Sequence, residues 1–181
     1  MAKKNTSFVR SKRTTNPTHP KVRVKGEKGS EQNQLRYELY REALKRIKQA
    51  KDSGAYFEAV CLYDALLADR VEAYTQHLQH FDEEHQPVDT LNHAVQAMDA
   101  ARNDKGIAKD AEYTELTKAL RKYADRRNEC VHNFVIVKNA NAHRTVEARL
   151  NYAKKTVKMG EDLFNRLKTW TLTNIKIEAE E

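Results

Sequence analysis

Residues 115–138 read ELTKALRKYADRRNECVHNFVIVK, and their apolar side chains recur at the interval of a helix, not of a strand. At about 100° per residue, Leu116, Leu120, Tyr123, Cys130, Val131 and Phe134 fall within one arc, with Arg127 in its middle. A guanidinium on that seam faces protein. Left unpaired in an interior it costs several kcal/mol, so it has to meet an anion, carbonyl groups or a wet groove between chains.

The same period extends outward in both directions. Residues 55–78, AYFEAVCLYDALLADRVEAYTQHL, place Val60, Leu67, Val71, Tyr74 and Leu78 on one stripe and Leu62, Leu66 and Ala73 on a second, the pattern of a central helix. A first helix from Ser30 to Gly54 carries Leu35, Leu39, Ala43, Ile47 and Ala50. A shorter helix holds Leu91, Val95 and Met98 behind an Asp89 cap. The fourth is expected from about Asp110 to Lys138, and the fifth from about Asn141 to Trp170. With hydrophobic residues at 39%, charged residues at 33% and few Gly or Pro, the expected fold is all-α. It is an antiparallel bundle of four or five helices spanning residues 31–172, followed by a short tail at 173–181.

Residues 1–30 differ in kind. Nine Lys or Arg against the single Glu27 give residues 1–28 a net charge of +8, which leaves the rest of the chain at −1 out of a total of +7. Two of the three prolines lie here with few apolar residues, the composition of an extended basic arm. Lys3, Lys4, Arg10, Lys12, Arg13, Lys21, Arg23 and Lys25 are the candidates for contact with nucleic acid phosphates. No apolar run follows the first lysines, so no secretory signal is expected, and the arm lacks the amphipathic stripe of a transit peptide. No stretch approaches the apolar length of a membrane span. Cys61 and Cys130, both among apolar residues, are expected to be buried thiols in a reducing compartment. These features point to a cytoplasmic protein with no membrane partner.

Asp64 lies on the stripe of Val60, Leu67 and Val71, and is the carboxylate in reach of Arg127 if the two helices pack. An ion pair fixing helix register is one explanation of the arginine. Function supplies another, because Arg127-Asn128-Glu129-Cys130-Val131-His132 resembles the R-N-x-x-x-H motif of HEPN domains. These are short helical bundles of toxins, antiphage systems and RNA-processing proteins. The resemblance spans about residues 31–170 and includes the segment EAVCLYDALLADR, similar to the second helix of several such domains.

The resemblance implies metal-independent cleavage of RNA, without a cofactor, at a groove between two protomers. The chemistry has physical grounds. RNA carries its own nucleophile, the 2′-hydroxyl. A histidine such as His132 can take that proton near neutral pH, and an arginine such as Arg127 offers a planar fork to the phosphate of the transition state. Asn128 could orient the imidazole or bind phosphate, and Glu129 is a supporting residue. In an uninterrupted helix, however, Arg127 and His132 stand about 140° apart, so a helix distortion, long side chains or a second copy is needed to unite them. Phe134 stands where one variant of the motif has tyrosine, which removes a phenolic hydroxyl.

A metal site is the rival reading of QHLQHFDEEHQ, where His77, His80 and His85 accompany Asp82, Glu83 and Glu84. Their spacing fits no established ligand motif, so a solvated helix end and no metal is expected. No Gly-rich phosphate loop and no Ser or Cys triad is present. Two functions therefore follow from the sequence. One is a HEPN-type endoribonuclease, a toxin or defence effector acting as a homodimer, with an antitoxin as a candidate partner. The other is a non-catalytic helical module that binds nucleic acid or a protein partner through its arm.

Overall fold

The structure, a computed structural model, describes residues 31–79, 90–107, 110–132 and 145–177. Among them are five helices and no strand: α1 (Glu31–Ser53), α2 (Tyr56–Gln79), α3 (Leu91–Asp104), α4 (Ala111–His132) and α5 (Val146–Ile177). The arm, with its basic residues from Lys3 to Lys25, lies outside the described residues, as do His80 to Asp89, Phe134, His143 and the last four positions.

Several helix ends have a local cause. Gly54 takes φ +79° and lets the Ala55 N–H reach back to the Ala50 carbonyl at 2.8 Å, closing α1 with a left-handed turn. Gly106, at φ +68°, ends α3 in the same way, with the Ile107 N–H donating to the Arg102 carbonyl. Asp110 caps α4 by accepting from the Tyr113 N–H at 2.6 Å, and Thr145 caps α5 by accepting from the Ala148 N–H. The α3 cap is Thr90, whose hydroxyl accepts from the His93 N–H, and not Asp89 as the sequence suggested.

Helix α2 packs against each of the other four, the central place that its two stripes predict. Val60, Leu67, Val71, Tyr74 and Leu78 are all buried, as is Leu66. Helices α1 and α2 run antiparallel, since the Gly54 turn joins them and Arg36 reaches Asp69. Helices α4 and α5 are antiparallel as well, with Glu129 beside Tyr152 at one end and Tyr113 beside Trp170 at the other. Gly160 lets α5 close on the centre: a Cβ there would stand 3.0 Å from the Tyr123 ring and from Tyr63 Cβ.

Two expectations about the helices need correction. The buried face of α1 is Tyr40, Ala43, Ile47 and Ala50, while Leu35 and Leu39 are 57% and 60% exposed, because Arg36 and Tyr40 turn inward to Asp69 in their place. Helix α5 continues past Trp170 to Ile177, so residues 173–177 are helical. Thr171 is buried, Ile175 packs on the core, and the Asn174 amide donates to the Trp170 carbonyl.

Candidate functional site

Helix α4 carries the motif in its last two turns, and it remains α-helical without interruption through Arg127, Asn128 and His132. The helix distortion that would have aligned Arg127 with His132 is therefore not there. Cys130 faces the core with its thiol 3.6 Å from the Thr156 hydroxyl, whereas Asn128, Glu129 and His132 are exposed. Val131, expected on the apolar arc, stands 36% exposed at the end of the helix.

Arg127 does meet Asp64. Its Nε lies 3.2 Å from Asp64 Oδ2, with 31% of the arginine side chain and 14% of the aspartate side chain exposed. The contact is close, yet the Nε–H is not aligned for a hydrogen bond, so it is an ion pair and little more. Burial raises the Asp64 carboxyl above its ordinary pKa, and Arg127 only partly offsets this. Desolvation thus outweighs the attraction. A group in that state is stabilised by protonation, and its contribution to folding declines as pH rises through its folded pKa. The pair sets where Arg127 stands and adds little stability.

The far side of the same guanidinium is better satisfied: Nη1 donates to the Asn128 side-chain oxygen at 2.9 Å. Asn128 therefore holds Arg127, and not His132. Glu129 accepts from the Tyr152 hydroxyl at 2.5 Å, and the neighbouring Arg126 lies 4.3 Å over the Tyr152 ring with its Nε on the Thr156 hydroxyl. These contacts tie the motif turn to α5. His132 ends the helix at the surface, on a different face from Arg127. Within one protomer the structure brings together Arg127, Asn128 and Asp64, and leaves His132 apart.

Cys61 borders the ion pair and, contrary to expectation, is exposed. Burial around its sulfur nevertheless pushes the thiol pKa up, with Arg127 opposing. The thiol is not an activated nucleophile. Among the described residues no His, Cys, Asp or Glu cluster is placed to hold a metal, and His77 is the one candidate ligand of the histidine-rich segment that falls within them. No described helix is long and apolar enough to cross a membrane.

The arginine that is wholly interior is a different one. Arg102 on α3 is 1% exposed; its Nη1 donates to the Tyr74 hydroxyl at 2.9 Å, and its guanidinium lies 4.3 Å from the Tyr113 ring and 5.5 Å from Trp170. Next to it Asp99 accepts from both the Tyr113 hydroxyl at 2.7 Å and Arg121 at 2.6 Å. The signal was present in the sequence, since Arg102 follows Val95 and Met98 at helical spacing, as Arg127 follows Leu120 and Tyr123. The two aromatic faces and the Tyr74 hydroxyl make this fully buried group a structural cation.

Compared with known proteins, the chain matches no family, no curated protein and no solved structure, so the resemblance to HEPN domains rests on its own motif and helices.

Proposed function

We propose that the protein is a metal-independent endoribonuclease of the HEPN type, with Arg127, Asn128 and His132 at its cleavage site. The observation that supports the reading is the state of Arg127. It is about one-third exposed, steadied by Asp64 on one edge and by Asn128 on the other, with Nη2 making no hydrogen bond among the described residues. A preset guanidinium with one prong open suits a phosphate whose charge grows in the transition state. His132 supplies the proton-transfer group. The two diverge on an unbroken helix, so the working site combines Arg127 of one protomer with His132 of another, in a homodimer packed near the end of α4. The need for that dimer comes from the divergence alone, because Asp64 already provides Arg127 with an anion inside one chain. Toxin or defence roles, an antitoxin partner and a cytoplasmic setting belong to this proposal.

One observation favours the second reading, a non-catalytic module. The Arg127–Asp64 pair forms within a single chain and needs no substrate to explain it. A double-mutant cycle separates the two. Under either reading Arg127→Ala costs stability, but with a third of the arginine side chain open to water the cost is about 1–3 kcal/mol, less than for a fully buried pair. Asp64→Asn added to it should recover part of that loss, measured by urea unfolding. If the arginine serves only register, RNA binding and any RNA cleavage should follow stability through the cycle. If it serves catalysis, cleavage stays lost in the double variant although stability returns.

The basic arm is proposed as the nucleic acid contact under both readings. Removing residues 1–28 takes away +8 of charge. RNA affinity should drop and its dependence on salt flatten, with little dependence on sequence, as read by titration at two ionic strengths. Equal binding by the truncated and full chains would place the contact elsewhere.

A further inference from the structure

A cavity of about 460 Å³ opens between α1, α2 and the end of α5. It lies on the α1 side of α2, about 9 Å along the helix from Asp64. We propose that it binds a small organic anion: a single carboxylate, sulfonate or phosphate head on a flat or branched apolar body, with the head held by Arg70. This goes beyond RNA cleavage and does not depend on it.

The lining carries the argument. Two arginines, Arg36 and Arg70, face the space, and none of the described residues that line it is acidic. Arg36 is engaged, with its Nη2 on Asp69 at 2.9 Å and Tyr40 donating to the same carboxylate oxygen. Arg70 is placed differently. Its Nε donates to the Thr171 hydroxyl at 3.1 Å and its Nη2 makes a long contact of 3.5 Å with the Lys168 carbonyl, both neutral acceptors. Asp69 acts on Arg70 through space, but no carboxylate among the described residues hydrogen-bonds to it. Burial lowers the guanidinium pKa and Arg36 adds to the effect, while Tyr40 and Asp69 oppose it. A cation held partly out of water with weak neutral partners gains most from an anion that brings charge-assisted hydrogen bonds.

The remaining wall selects the body of the ligand. Ala73, Leu172 and Ile175 form an apolar floor, and Tyr37 and Tyr40 stand at the α1 side. The volume is that of an ordinary small-molecule site. Inorganic phosphate would satisfy Arg70 but leave this floor wet. An uncharged hydrocarbon would fill the floor and leave Arg70 as it is. The match is a molecule with both parts.

Two fluorescent probes share one apolar body and differ in the head: 1-anilinonaphthalene-8-sulfonate has it, and N-phenyl-1-naphthylamine lacks it. Titrated into the full chain at about 0.15 M salt, where distant charges are screened, the sulfonate should bind at one site per chain. It should bind about tenfold or more tightly than the amine, the margin of a charge-assisted bond. Arg70→Gln should remove that margin and leave amine binding in place. Ala73→Met, which fills the apolar floor and keeps the arginine in the chain, should weaken both probes. The proposal is overturned if the two probes bind equally well to the unaltered protein, or if Ala73→Met binds the sulfonate as the unaltered protein does. The latter result would put the probe on the arm or on the exposed leucines of α1, and it decides the matter even if Arg70→Gln fails to fold.

Discussion

His132→Ala should lower RNA cleavage by about 100- to 10,000-fold, the range for loss of a general acid or base, while the protein stays folded and still binds RNA. The reason is positional. His132 is the last described residue of α4, is exposed, and makes no contact that holds the bundle together among the described residues. Its removal therefore costs no packing. Circular dichroism and RNA affinity should match those of the unaltered chain, and only turnover should change. Arg127→Lys keeps the charge but loses the fork, so cleavage should fall by about 100- to 1,000-fold. The lysine still has Asp64 within reach, and the melting temperature should move little. A His132→Ala protein that cleaves at the ordinary rate would remove the histidine from the mechanism.

The largest stability effect should come from Arg102→Ala, at about 3–5 kcal/mol. The substitution opens a cavity in the interior and forfeits cation–π contact with Tyr113 and Trp170, each substantial when water is excluded. For a domain of this size that is a fall of about 6–20 °C in Tm. Arg102→Met should recover most of the loss, since a side chain of similar reach refills the space with no charge to bury. Calorimetry of the two variants checks this. Equal destabilisation by Ala and Met would mean that the charge itself, and not the filling of the core, holds the three aromatic residues in place.

The bundle was legible because helical spacing reports burial well when a whole face is apolar. Val60 to Leu78 show this, as does the central position of α2. Glycine stops and polar caps were readable to within a residue or two, with Thr90 taking the place expected for Asp89. The failures share a cause: spacing gives an angle, not a neighbour. Leu35 and Leu39 had the right period, yet Arg36 and Tyr40 found Asp69 and took the inner face. Cys61 looked apolar by context and came out on the surface. The end of α5 is hard to place in the sequence because TLTNIKIEAEE contains no Gly or Pro, and its polar residues alone do not end a helix.

The candidate site was legible in part for the same reason. The Arg127–Asp64 pair was readable, because two stripes that pack must bring their charged members together. The Asn128 contact was not, since neighbours in sequence on a helix ordinarily diverge, and only the bend of the long arginine side chain reunites them. The role of Tyr152, whose hydroxyl and ring face tie Glu129 and Arg126 to α5, leaves no mark in helical spacing. Arg102 and Arg127 follow apolar residues at the same spacing, so spacing alone does not tell which of the two is interior.

The central claim is that Arg127 and His132 cleave RNA through its own 2′-hydroxyl. Its most direct test is to incubate the purified full chain with single-stranded RNA in excess EDTA and determine the chemistry of the new ends. The account predicts cleavage undiminished by the chelator, with 2′,3′-cyclic phosphate on one fragment and a 5′-hydroxyl on the other. Intact RNA, or fragments with a 5′-phosphate that form only when divalent metal is restored, would contradict it.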